Sequence, residues 1–176
     1  KIIDEFAESK KLGITTRPVL IGPVSYLLLG KEKGDDFHRI DLIEKVLPVY
    51  FEILNALQNE GAEYIQLDEP FLALNLTDKE RLAITYVYNE INKNFPSLKV
   101  ILTNYFDCFG ENLETVLALP VHTLHLDLVR CSSQLDDILE SGKLASNVNL
   151  SLGVVDGRNI WKNDFKKSLA QIEKAV

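Results

Sequence analysis

Four apolar runs in this sequence end on side chains that can bind ligands or move protons. The run 64–67 leads into Asp68 and Glu69, and the run 98–102 into Thr103, Asn104 and Tyr105. The run 123–126 leads into Asp127, with Arg130 three residues on. The run 148–152 leads through Gly153 to Asp156 and Arg158. Neighbouring carboxylates of this kind can do acid–base work once the geometry holds them against a reacting atom. Arginines suit carboxylate or phosphate recognition through charge-assisted, two-pronged hydrogen bonds. Each feature also has a purely architectural reading. Asp68 and Glu69 can cap the next helix or pair with Arg130 or Arg158, and Asp127 with Arg130 can be a simple ion pair. The stretch 154–159 can hold an anion on backbone N–H groups and Arg158, or be a tight turn in which Gly157 supplies a positive φ. His125, inside an apolar run, fits a hydrogen-bonded core residue better than a ligand; His122 and His38 have no supporting neighbours.

Other chemistries find no foothold. There is no Gly-x-Gly-x-x-Gly, no phosphate-binding Walker loop and no Gly-x-Ser-x-Gly elbow. No His/Cys cluster has the spacing of metal ligands, so no metal site is expected. Cys108 and Cys131 are the only cysteines. With no secretory leader in sight they are expected to be reduced, buried thiols in a cytoplasmic protein.

The elements that must position the candidates are strand–helix units. The four runs above and a first run, 18–21, are short and rich in Val, Ile and Leu, the pattern of parallel strands covered on both faces. Between them lie helical patterns. Residues 38–60 carry Ile40, Ile43, Val46, Leu47, Tyr50, Ile53, Leu54 and Leu57 at spacings of three and four, with Gly61 where a C-terminal cap belongs. Thr77 and Glu80 form a capping box for a helix up to Asn94, which Pro96 prevents from continuing. Shorter helices are expected at 112–119 and 133–139, and a last one at 163–175 with Asn163 as N-cap. The segment 23–37 is expected to be the longest loop, exposed and mobile. Five such units specify an α/β fold with a parallel sheet, either doubly wound or part of a (β/α)₈ barrel of about 250 residues. In both, function gathers at the carboxyl ends of the strands. Asp68, Glu69, Asn104, Asp127, Arg130, Asp156 and Arg158 are therefore expected at one rim, with the two arginines mainly neutralising the acids.

Composition narrows the partners. The 176 residues are 46% apolar and 26% charged, with a net charge of −7, enough for one domain with a sizeable core. An acidic chain is a poor nucleic-acid binder, and no apolar run approaches the ~18 residues of a membrane span. The chain has no Met and begins and ends within helical patterns, so 1–176 is expected to be a single segment of a longer protein.

Several motifs resemble a known family. Arg17-Pro18-Val19-Leu20-Ile21-Gly22-Pro23-Val24-Ser25 with Leu29-Gly30-Lys31, Leu47-Pro48-Val49-Tyr50, and Gln66-Leu67-Asp68-Glu69-Pro70 are similar to the amino-terminal half of cobalamin-independent methionine synthase. So are Leu119-Pro120-Val121, Leu124-His125-Leu126-Asp127-Leu128-Val129-Arg130 and 151–161, in collinear order from Leu12 to Ala175. The resemblance implies a protein of two (β/α)₈ barrels that moves a methyl group from methyltetrahydrofolate polyglutamate to homocysteine. It also implies that zinc is held in the carboxyl-terminal barrel and that this segment belongs to the amino-terminal one, whose partners are the remainder of the chain and the folate.

By the same resemblance the catalytic residues are missing here. In the family's catalytic barrel, an Arg and a folate-contacting Glu follow the Asp-Glu-Pro segment; Ala73 and Leu74 stand in those places. That barrel's His-x-Cys zinc pair is replaced by Thr103-Asn104-Tyr105, and only Asp127 stands near a zinc-ligand position. The segment is thus expected to carry no catalytic residue and no cofactor of its own, zinc serving only the intact protein. Two rivals remain: a single-barrel enzyme related to uroporphyrinogen decarboxylase, whose rim Arg and Asp residues bind a polyacid, and a non-catalytic binding module using residues 156–161.

Overall fold

The computed structural model describes residues 1–33 and 37–176. Helix α1 (Ile2–Lys11) precedes strand β1 (Val19–Ile21) and α2 (Pro23–Leu29). A 3₁₀ turn (Arg39–Leu42) runs into α3 (Ile43–Asn59), followed by β2 (Tyr64–Asp68), a second 3₁₀ turn (Pro70–Ala73) and α4 (Asp78–Asn94). Then come β3 (Lys99–Thr103), α5 (Leu113–Leu117), β4 (Thr123–Asp127), α6 (Gln134–Ser141), β5 (Asn149–Gly153) and α7 (Phe165–Ala175).

The five strands form one parallel sheet in chain order. A doubly wound sheet reverses its strand order at a switch point. This sheet never does, so the units progress as in a barrel. Register aligns Leu67 with Leu102, Leu102 with Leu124 and Leu124 with Leu150. These residues, with Ile65, Val100 and Leu126, point to the helices and form the core with Leu54 and Leu57 of α3 and Ile84, Val87 and Ile91 of α4.

The other face is mixed, with Ile101 of β3 and Val19 and Ile21 of β1 among polar residues. Alternation along each strand puts Gln66 and Asp68 of β2, Thr103 of β3, Thr123, His125 and Asp127 of β4 and Ser151 of β5 on that face. There Arg17 donates to Gln66 Oε1 (2.7 Å), Gln66 to Asp68 Oδ1 (2.7 Å), and His125 Nδ1 meets Ser151 Oγ at 2.9 Å. The apolar runs hide an alternation: this face carries a line of hydrogen-bonded polar side chains, while Ile101, Thr103, Thr123 and Asp127 on it are buried.

Local signals mostly hold. Thr77 Oγ1 accepts from the Glu80 amide, and the Glu80 carboxylate accepts from the Thr77 amide at 2.8 Å, completing the capping box. Gly61, at φ 90°, ends α3. Its N–H donates to the Gln58 carbonyl and that of Ala62 to the Leu57 carbonyl, the paired bonds of a Schellman cap. Two expectations fail. Residues 23–29 are helix, not loop: Pro23 stands at the first helical position, where its missing N–H costs nothing, and Val24, Leu27 and Leu28 are buried. Of the rest of that expected loop, Gly34, Asp35 and Asp36 lie outside the described residues. The cap of α7 is Asp164, whose carboxylate accepts from the Lys167 amide, while Asn163 instead donates to Ser168 Oγ.

Candidate functional site

The parallel register carries every strand terminus to the same edge, and the residues that follow form a cleft of about 280 Å³. Tyr105, Phe106, His125, Asp127, Arg130, Asp156 and Arg158 line it. Asp68 adjoins it, accepting from the Tyr105 hydroxyl at 3.2 Å. Burial first, and then Asp68, push the Tyr105 hydroxyl above its usual range. Burial pushes His125 down, against the pull of Asp127 and Asp68. With Ser151 on Nδ1, it is a neutral polar residue of the cleft wall near pH 7.

Glu69 takes a different course. Alternation turns it away from the cleft, and it is 0% exposed. Its carboxylate accepts from the Val24 amide (3.3 Å) and the Ser25 amide (2.7 Å), so it caps α2, an earlier helix in the chain. Burial raises its pKa to about 7, opposed by Ser25 and Val24 and assisted by Asp68. Asn104 is also buried; it donates to the Asp107 carbonyl (3.0 Å), and its Oδ1 has no partner among the described residues. Neither presents a group to the cleft as an acid–base residue must.

Asp127 ties two loops together. Oδ2 accepts from the Phe106 amide (3.1 Å), and Oδ1 from the amides of Val129 (3.2 Å) and Arg130 (3.1 Å). The Arg130 guanidinium lies 3.8 Å from Oδ2, a loose pair. Arg158 departs from the expectation of neutralised acids: among the described residues no carboxylate lies within 4.0 Å of its guanidinium, which stacks 4.8 Å from the centre of the Phe106 ring. The stretch after β5 is a side-chain-closed turn, since Asp156 Oδ1 accepts from the Arg158 amide (2.9 Å) and Oδ2 from Asn159 (2.6 Å). That amide is therefore not free for an anion, and the turn that forms instead does not use a positive φ at Gly157.

The cysteines correct the sequence reading. Cys108, after β3, and Cys131, after β4, are joined in a disulfide with their Cα atoms 5.2 Å apart. Their separation of 23 residues hid the fact that adjacent parallel strands deliver both loops to one place. With Asp107 they form the one group of three His, Cys, Asp or Glu donors within 4.8 Å of each other among the described residues. Two sulfurs bonded to each other are not thiolates, so this set does not fit a zinc centre.

Sequence reasoning missed Phe106, Arg17, Gln66 and Ser151. Gln66 and Ser151 were accessible from the period of two: each shares a face with a residue already singled out. Phe106, at φ 102°, left no signal, because only the tertiary structure puts its ring under Arg158. The arrangement can bind an anionic or planar group on Arg158 and Phe106. It offers no activated nucleophile.

The whole chain, residues 1–176, matches the family described as cobalamin-independent synthase, N-terminal domain. Over its full length it is 78% identical to the 5-methyltetrahydropteroyltriglutamate–homocysteine methyltransferase of Flavobacterium johnsoniae. Identity to the proteins of the same name from Cytophaga hutchinsonii and Saccharomyces cerevisiae is 55% and 46%. The chain spans 23% of the length of each of these relatives. Among solved structures, a methyltransferase from Methanosarcina mazei superposes with a TM-score of 0.65 at 13% identity, over 99% of this chain and 54% of that one, a likeness of fold. Strand order, rim and full-length match agree: the chain belongs to the amino-terminal-domain family of the cobalamin-independent synthases.

Proposed function

We propose that the protein containing these residues transfers a methyl group from 5-methyltetrahydrofolate polyglutamate to homocysteine, making methionine in the cytoplasm. In this reading residues 1–176 are one segment of the amino-terminal barrel. They act as framework and as the folate-facing side, and they are inactive alone. What supports it is the family match over all 176 residues, together with a rim where the Arg158 guanidinium lacks a carboxylate partner among the described residues. Zinc, which keeps a thiol deprotonated near neutral pH, belongs in this reading to another part of the protein. Asp68, Asp127, Arg130, Asp156 and Arg158 form the wall toward the folate and the remainder of the chain, with Glu69 and Asn104 bracing that wall from behind.

Methyl transfer measured on the full-length protein and on the segment tests this. The full-length protein is expected to be active. The segment is expected to show no turnover and to hold no zinc after dialysis. Arg158→Ala in the full-length protein is expected to raise the KM for the polyglutamate substrate with kcat little changed. A segment that turns over, or that retains stoichiometric zinc, sinks the proposal.

A further inference from the structure

We infer that Cys108–Cys131 is a reversible thiol–disulfide exchange site that locks the β3 and β4 loops against each other at the rim. The bridge is not needed to assemble the fold. Its two strands are already paired from Ile101 with Thr123 to Thr103 with His125, and the core beneath them is extensive. Disulfides that substitute for a core belong to much smaller domains. The two sulfurs are also unequal. Cys131 is buried at 3% exposure, whereas Cys108 is half-exposed in a loop whose neighbours Phe106 and Asp107 face solvent. A bridge with one open sulfur can be approached by a thiolate, and exposed bridges are the labile ones.

The exchange balances with a dithiol reductant. One thiolate attacks Cys108 Sγ, the S–S bond breaks, and Cys131 leaves as a thiolate that takes up a proton. The reductant's second thiol then displaces Cys108 from the mixed disulfide. Two electrons pass to the protein, which gains two thiols, and the reductant becomes a disulfide. A disulfide oxidant drives the reverse.

The consequence reaches the cleft. Three ties join the two loops: the bridge, the Phe106 amide on Asp127, and the Phe109 amide on Gln134 Oε1 (2.6 Å). Between them Phe106 is held at φ 102°, a conformation that survives only when its surroundings over-determine it. Opening the middle tie lets Phe106 relax to negative φ and withdraws its ring from Arg158.

The test uses the full-length protein, equilibrated without denaturant in dithiol–disulfide buffers of graded potential and trapped with a thiol alkylator. Peptide mass spectrometry then reads Cys108 and Cys131 separately. Both are expected to become alkylated together in one two-electron transition. Hydrogen exchange is expected to show loss of protection at the Phe106 and Arg130 amides in the reduced form. Cys131→Ser is expected to leave a Cys108 thiol that forms a mixed disulfide with a small-molecule disulfide. If that variant does not fold, Cys108→Ser replaces it, and its Cys131 thiol, unbridged as in the reduced protein, is expected to be alkylated without any reductant. A bridge that stays closed until the protein unfolds would overturn the inference. So would thiols that never bridge under oxidant, or stoichiometric zinc lost on Cys108→Ser.

Discussion

Glu69 shows how one residue changes meaning between sequence and structure. Beside Asp68 it looks like half of an acid–base pair; in the fold it is a buried cap on α2, and Gly22 exists to make room for it. Gly22 has an ordinary φ of −69°, so the requirement is space and not conformation: a Cβ there would overlap the Glu69 carboxylate. Gly22→Ala is expected to cost about 1–3 kcal/mol, because the buried Glu69 carboxylate must shift off its amide partners to make room; denaturant unfolding of the full-length protein measures it, and a loss within error of zero would contradict the steric account. The Glu69 charge also has a pH signature. Its folded pKa, about 7, lies above the 4.5 of a freely solvated glutamate, so the folded state holds the proton more tightly than the unfolded one. Its contribution is fully present below pH 4.5, declines as pH rises, and is gone above about 7. Glu69→Gln cannot ionise. Relative to the wild type, its stability should rise by an amount on the order of 3 kcal/mol between pH 4.5 and 8. Parallel stability–pH curves for the two proteins would rule this out.

At the level of elements, capping residues specify helix ends well and short helices poorly. The α4 box needs only Thr77 and Glu80 three residues apart, a local arrangement that the sequence displays in full. Thr77→Ala should lower stability by about 1 kcal/mol, seen as a lower Tm with the fold intact by circular dichroism; an unchanged Tm would mean that packing of Ile84, Val87 and Ile91 alone holds the helix start. Helix α2 was illegible for a physical reason. Gly22-Pro23 signals a turn as strongly as it signals a helix start, and one seven-residue helix has too few turns to establish a period. Its cap comes from Glu69, 44 residues from Ser25, and no local window contains that contact.

At the scale of the whole segment, the described residues form a sheet in which β1 and β5 each pair with one neighbour, and next to β5 the residues Leu139, Leu144, Val148, Leu150, Leu152 and Ile172 form an apolar groove. An uncovered edge with an apolar flank invites another chain. Isolated residues 1–176 are therefore expected to self-associate in sedimentation velocity, while the full-length protein does not do so through this edge. A monodisperse, stable monomer of the segment would mean that the open sheet is sufficient as it stands.

The five strands, the parallel class and the rim positions of Asp68, Asp127, Arg130, Asp156 and Arg158 were legible from residue order, because hydrophobic runs, caps and strand ends are encoded locally. The motifs at 17–25, 66–70 and 124–130 carried the family as well. The tertiary structure alone decided the rest. The strand order excludes the doubly wound alternative, and the register sends Glu69 behind the sheet while Asp68 faces the cleft. Parallel pairing of β3 with β4 brings Cys108 to Cys131 and Phe106 to Arg158. Those outcomes depend on contacts between residues 22 to 52 positions apart, and separations of that size leave no mark on any local pattern.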